Sequence, residues 1–164
     1  MIERYYNLFD PAKHYTQLLF RAGDGLQSRE LNEIQSTLMH RLQGVADALL
    51  KDGDIVSGAN LQIEADTGLV TLEAGRLYLR GAVREVPAAT FTVPPSGRIA
   101  VGVRFTTRTV TELEDPHLRE PAVGVRNYQE PGAGRLQETL TWGWEGAGTS
   151  DGQPGDFHAV YALD

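Results

Sequence analysis

The chain has 164 residues, 41% of them hydrophobic and 23% charged, with a formal net charge of -7. That length suits one modest core with an attached arm, and the composition excludes wholesale disorder. The acidic balance, with Arg80, Arg84, Arg98, Arg104 and Arg108 scattered among acids, argues against nucleic acid as the main partner, and the lack of cysteine excludes disulfides, cysteine-ligated zinc and thiol catalysis.

Met1-Ile2-Glu3-Arg4 leads into tyrosines, an asparagine and an early proline, so the start does not read as a signal peptide. No apolar stretch approaches the ~20 residues needed to cross a bilayer. Synthesis and folding in a cytoplasm, without membrane insertion, are therefore expected. Residues 1–27 read as an extended arm that carries Tyr5, Tyr6, Phe9, Tyr15, Leu19 and Phe20 into a glycine turn at Gly23-Asp24-Gly25. Large rings near a terminus stay ordered only when something ties them down. The arm is thus expected to lie along another polypeptide and bury these side chains there.

Residues 28–52 carry the helical signal. Leu31, Ile34, Leu38, Leu42, Val45 and Leu49 recur at three- and four-residue steps, while Asn32, Glu33, Ser36, His40, Gln43, Asp47 and Lys51 fill the opposite face. Ser28 is the expected N-cap, Glu30 suits the positive end of the helix dipole, and Asp52-Gly53-Asp54 is the expected stop. Gly44 sits mid-helix, where it would permit a close neighbour. Read as heptads, Leu31, Leu38 and Val45 share one seam position, and Ile34, Arg41 and Ala48 the other. Two readings follow: a helix packed on its own sheet, or a short parallel bundle around a symmetry axis. The second makes Leu31, Ile34, Leu38 and Val45 an oligomer interface.

Residues 53–164 read as β. Alternating apolar and polar residues mark strands over 59–64, 69–73, 76–80, 82–86, 90–93 and 98–110, separated by glycine and proline turns. Ile99, Val101, Val103 and Phe105 fall on one face of the last of these. Two more apolar pieces, 136–144 and 157–163, flank the glycine-rich loop 146–155 and are expected to pair with each other. The fold class is therefore α+β, mainly β: an extended N-terminal arm, one amphipathic helix, then an antiparallel meander or sandwich. The chain stops directly after the apolar residues Tyr161-Ala162-Leu163, which leads us to expect further protein beyond Asp164.

Catalytic signatures are missing. There is no phosphate loop, no nucleophile elbow and no zinc-protease helix. His14, His40, His117 and His158 have no ligand spacing, so each reads as a surface or packing residue and no metal or cofactor is expected. Asp52-Gly53-Asp54 lacks the later oxygen ligands of a calcium loop. Glu112, Glu114 and Asp115 could supply a carboxylate pair for glycoside hydrolysis, but they read better as a solvated acidic loop. Trp142 and Trp144, two apart on one strand face, could stack on a sugar or a partner, or could pack in a core or interface.

Phe9-Asp10-Pro11-Ala12-Lys13-His14-Tyr15, Leu19-Phe20-Arg21-Ala22-Gly23, Leu26-Gln27, Glu30-Leu31-Asn32-Glu33-Ile34-Gln35 and Lys51-Asp52-Gly53-Asp54-Ile55-Val56-Ser57-Gly58 together resemble the N-terminal domain of tailed-bacteriophage tail-fibre or baseplate-associated proteins. The domain is generally catalogued as one of unknown function. The resemblance is dense over 5–60, looser through Gly75-Arg76-Leu77-Tyr78-Leu79-Arg80-Gly81, and slight beyond 110. It implies a structural, non-enzymatic virion role in which the arm and helix attach a fibre to the baseplate, often as a homotrimer, with downstream fibre or receptor-binding protein as a further partner. It implies no catalytic residues. The other class left open is a carbohydrate-binding or carbohydrate-cleaving β domain, resting on Trp142, Trp144 and the acidic loop.

Overall fold

The computed structural model describes residues 5–163; the first four residues of the arm, and Asp164, lie outside it. The chain divides into two compact units, one made of residues through Asp54 plus Tyr78–Val83, the other of Ile55–Leu77 plus Arg84 onward.

In the first unit the helix α1 spans Ser28–Ala46. Its N-cap is Gln27, one residue before the expected Ser28, and the Glu30 carboxylate accepts the Gln27 N–H at 2.8 Å. The helix also stops earlier than the apolar period suggests. The Leu49 and Leu50 amides both donate to the Ala46 carbonyl at 2.9 Å, which tightens the last turn, and the Asp47 carboxylate accepts the Tyr78 hydroxyl at 2.5 Å. Asp52-Gly53-Asp54 therefore does not cap the helix. It lies against residues 78–80: Gly53 (φ 96) donates to the Tyr78 carbonyl at 2.9 Å, Tyr78 donates to the Asp54 carbonyl at 2.8 Å, and Asp52 accepts the Arg80 N–H at 2.7 Å.

Tyr78 is fully buried. Its hydrogen bond to Asp47, with burial and the charges of Asp47 and Asp52, pushes its hydroxyl up to about 12. A raised tyrosine favours the folded state while the phenol is protonated, so this tie holds below the ordinary tyrosine range and is lost as pH rises through about 12. Absorbance titration should show Tyr78 among the last of the six tyrosines to ionise, and Tyr78→Phe should remove a step near pH 12. Loss of a step nearer pH 10 instead would contradict the Asp47 tie.

Ten strands form three antiparallel sheets among the described residues. β1 (Ile55–Gly58), β4 (Gly75–Leu79) and β5 (Ala82–Val86) make the first, in the order β1-β4-β5. β2 (Leu61–Glu64), β3 (Leu69–Leu72) and β6 (Ala89–Thr92) make the second, in the order β2-β3-β6. β7 (Ile99–Val110), β8 (Arg135–Gly146), β9 (Thr149–Ser150) and β10 (Asp156–Leu163) make the third, ordered β10-β7-β8-β9. Mainly β with a single helix is thus the architecture. The expected strand over 59–64 forms as β2, two residues shorter at its start, and a separate strand, β1, precedes it over Ile55–Gly58. The apolar pieces 136–144 and 157–163 do not pair with each other, because β7 lies between them: Val103 faces Trp142 on β8 and His158 on β10.

The alternation of β7 places its core face as expected, with Ile99, Val101, Val103 and Phe105 between 0% and 5% exposed. Val70, Leu72, Leu77, Val86, Leu140 and Trp142 join them in the core of the second unit.

Candidate interaction surfaces

α1 is amphipathic, yet none of its residues is buried. Its polar face is the covered one. Asn7 donates to the Ser36 hydroxyl at 2.7 Å, Asn32 donates to the Tyr6 carbonyl at 2.9 Å, and the Leu8 N–H donates to Glu33 at 3.3 Å. Phe9 packs on the His40 ring at 5.5 Å between centroids, and Arg41 donates to the Thr16 carbonyl at 2.8 Å. Asp10 turns the arm by accepting the Ala12 N–H at 3.0 Å, starting a one-turn 3-10 helix at Pro11–Lys13. The arm therefore runs along the chain's own helix, through polar contacts.

The apolar stripe faces solvent: Leu31 is 48% exposed, Ile34 40%, Leu38 58% and Val45 67%. Leu42 and Met39 are exposed beside it, and a side chain at Gly44 would meet nothing within 4 Å. A solvent-facing apolar stripe costs free energy that only a covering surface recovers. The arm rings divide. Tyr5 and Phe9 are half-buried, whereas Tyr6, Tyr15, Leu19 and Phe20 are exposed.

Trp142 and Trp144 share a face of β8 but not an environment. Trp142 is buried, with its ring 6.5 Å from that of Tyr161, and so it packs in the core; Trp144 keeps some accessible surface. The acidic loop is occupied with its own turns. Glu114 accepts both the N–H and the hydroxyl of Thr111, at 2.8 and 2.6 Å, and these bonds hold its carboxyl below the usual range. Asp115 accepts the His117 N–H at 3.0 Å and opens a second 3-10 turn at Pro116–Leu118. Among the described residues, no group of three or more His, Asp or Glu is placed to hold a metal ion.

One cluster escapes a reading of the sequence. Arg104 of β7 is 4% exposed and pairs with Asp151 at 2.7 Å and Glu145 at 3.1 Å. Forty-seven residues separate Arg104 from Asp151, and no spacing announces such a pair. Arg84 of β5 pairs with Glu138 of β8 and lies 5.0 Å over the Phe105 ring.

Fold and surfaces together define a mainly antiparallel β domain bearing a helix-and-arm module with an open apolar stripe. The chain belongs to the family of the domain of unknown function DUF4815, whose model matches residues 3–164. No curated protein and no solved structure matches it. Among the described residues, no helix is long and apolar enough to cross a membrane.

Proposed function

We propose that this domain is a structural component of a bacteriophage tail, attaching a tail fibre to the baseplate through its N-terminal arm and helix. The observation that carries this reading is the solvation of α1, with its polar face engaged by the arm and Leu31, Ile34, Leu38 and Val45 left outside. An apolar stripe with heptad spacing suits parallel association of identical helices, and the resemblance to tail-fibre proteins implies three of them, so the working assembly is taken as a homotrimer. Tyr6, Tyr15, Leu19 and Phe20 then remain for a baseplate protein, each worth on the order of 1.5 to 3 kcal/mol when fully covered. The resemblance of residues 5–60 to tail-fibre and baseplate-associated proteins supports the virion setting. The domain works by geometry rather than catalysis, presenting contact surfaces on a scaffold of antiparallel ladders.

The test is incorporation into particles. In a phage encoding this chain, removing residues 1–25 should leave a folded β domain that is absent from purified virions. Glu112→Ala, Glu114→Ala and His117→Ala should leave assembly and infectivity nearly unchanged. Normal incorporation of the arm-deleted form would refute the attachment role, and a hydrolytic activity lost in the loop variants with assembly intact would show an enzyme instead.

A further inference from the structure

The side chain of Arg104 leaves β7 on the face opposite Val103, between Thr141 of β8 and Phe157 of β10. Its Nε donates to Asp151 at 2.8 Å, one terminal nitrogen reaches Asp151 and Glu145, the other reaches the Gly155 carbonyl at 3.4 Å, and the guanidinium lies 5.1 Å over the Phe157 ring. The second oxygen of Asp151 accepts the Trp144 N–H at 3.0 Å. Beneath it lies Gly143, where any Cβ would stand 2.1 Å from that oxygen. A buried, preorganised guanidinium, a convergent backbone N–H and a bare glycine floor are the parts of a carboxylate receptor.

Two carboxylates meet this guanidinium: Glu145, fixed on β8 at its rim, and Asp151, which reaches both the guanidinium and the Trp144 N–H from the following loop. Asp151 sits among Gly148, Gly152 and Gly155, all at positive φ, where the backbone can rearrange at little cost. The loop is otherwise joined to β8 by the two-residue strand β9 and by the Asp151 N–H to the Trp144 carbonyl at 3.2 Å. Burial raises the Asp151 carboxyl, but Arg104 and the amides of Gln153 and Trp144 outweigh it and hold the group below the usual range.

We propose that Arg104, the Trp144 amide and Gly143 form a carboxylate-binding site that Asp151 fills in cis, making residues 146–155 a latch that an acidic side chain of a partner polypeptide displaces. The tethered aspartate competes at a high effective concentration, so a small carboxylate alone does not open the wild-type latch, whereas a polypeptide that adds contacts around its own acid does. This site is separate from the helix and arm and does not depend on their role.

Asp151→Asn removes the tethered charge, so the side chain in the site is held more weakly and a carboxylate from solution can displace it. Titrated with sodium formate against sodium chloride at equal ionic strength, the variant should gain about 3 °C in thermal midpoint, saturably and with formate only. The peptide Gly-Thr-Ser-Asp-Gly-Gln-Pro-Gly, which reproduces residues 148–155, should act at lower concentration than formate. Arg104→Met combined with Asp151→Asn should respond to neither. Absence of a formate-specific gain, or an equal gain in the double variant, overturns the site, and a peptide no better than formate overturns the polypeptide partner. Should Asp151→Asn fail to fold, the wild-type protein with excess peptide serves instead. Hydrogen exchange at residues 148–155 should then accelerate, and unchanged exchange overturns the latch.

Discussion

Aspartate at Leu31 and Leu38 is expected to abolish self-association while leaving the chain folded. These side chains are 48% and 58% exposed within one chain, so their replacement removes little that the isolated subunit uses. In a helical bundle they would lie on the seam, where each leucine contributes about 2 kcal/mol per subunit, and each carboxylate brought there would be desolvated without a partner. Two such changes per chain weaken association by on the order of 1,000-fold or more. Sedimentation equilibrium should show a concentration-dependent oligomer for the native chain and a monomer for the double variant, with equal far-ultraviolet circular dichroism. An oligomer that survives both aspartates would place the interface elsewhere. A variant that unfolds as a monomer would mean that the stripe is needed within the subunit after all.

Replacing Gly102 with valine should be the most damaging single change within the β domain. A Cβ at Gly102 stands 2.1 Å from the His158 carbonyl oxygen and 2.8 Å from the Ala159 Cα, and these are backbone atoms of β10 that no rotamer change can move. The approach is close because the pairing of β10 with β7 shifts register between Ala159 and Tyr161, next to the Gly102↔Ala159 pair. Relief requires β10 to move off β7, which also disturbs the packing of Tyr161 on Trp142. Overpacking of this kind costs about 3 kcal/mol, and a domain of this size then melts about 9 °C lower. Urea unfolding followed by tryptophan fluorescence should read the change through the buried Trp142, and an unaltered midpoint would rule out the tight strand approach.

Much of the fold was legible in the sequence because its signals are local. Leu31, Ile34, Leu38 and Val45 recur at the helical period, and α1 forms there; Ile99, Val101, Val103 and Phe105 alternate, and all are buried in β7. Those periods follow from backbone geometry, which each residue carries whatever its distant neighbours do. The end of the helix was not legible. The apolar pattern continues to Leu49, but helix stops at Ala46, and Asp47 is held by Tyr78, thirty-one residues away. Strand partnership was not legible either: 136–144 and 157–163 look like mates across a glycine loop, yet each gains a longer ladder by pairing with β7.

The interaction surfaces show the same division. Composition and periodicity determined that α1 has an apolar face and that the arm is ring-rich. Only the tertiary structure decided that the arm lies on the polar face, through Asn7, Asn32, Glu33 and His40, so that the apolar one remains open. It likewise sorted Trp142 into the core and left Trp144 partly accessible, and it brought Asp151 onto Arg104. A period states which side chains share a face, whereas what covers that face depends on the free energy of the whole chain, set by pairings between residues far apart in sequence.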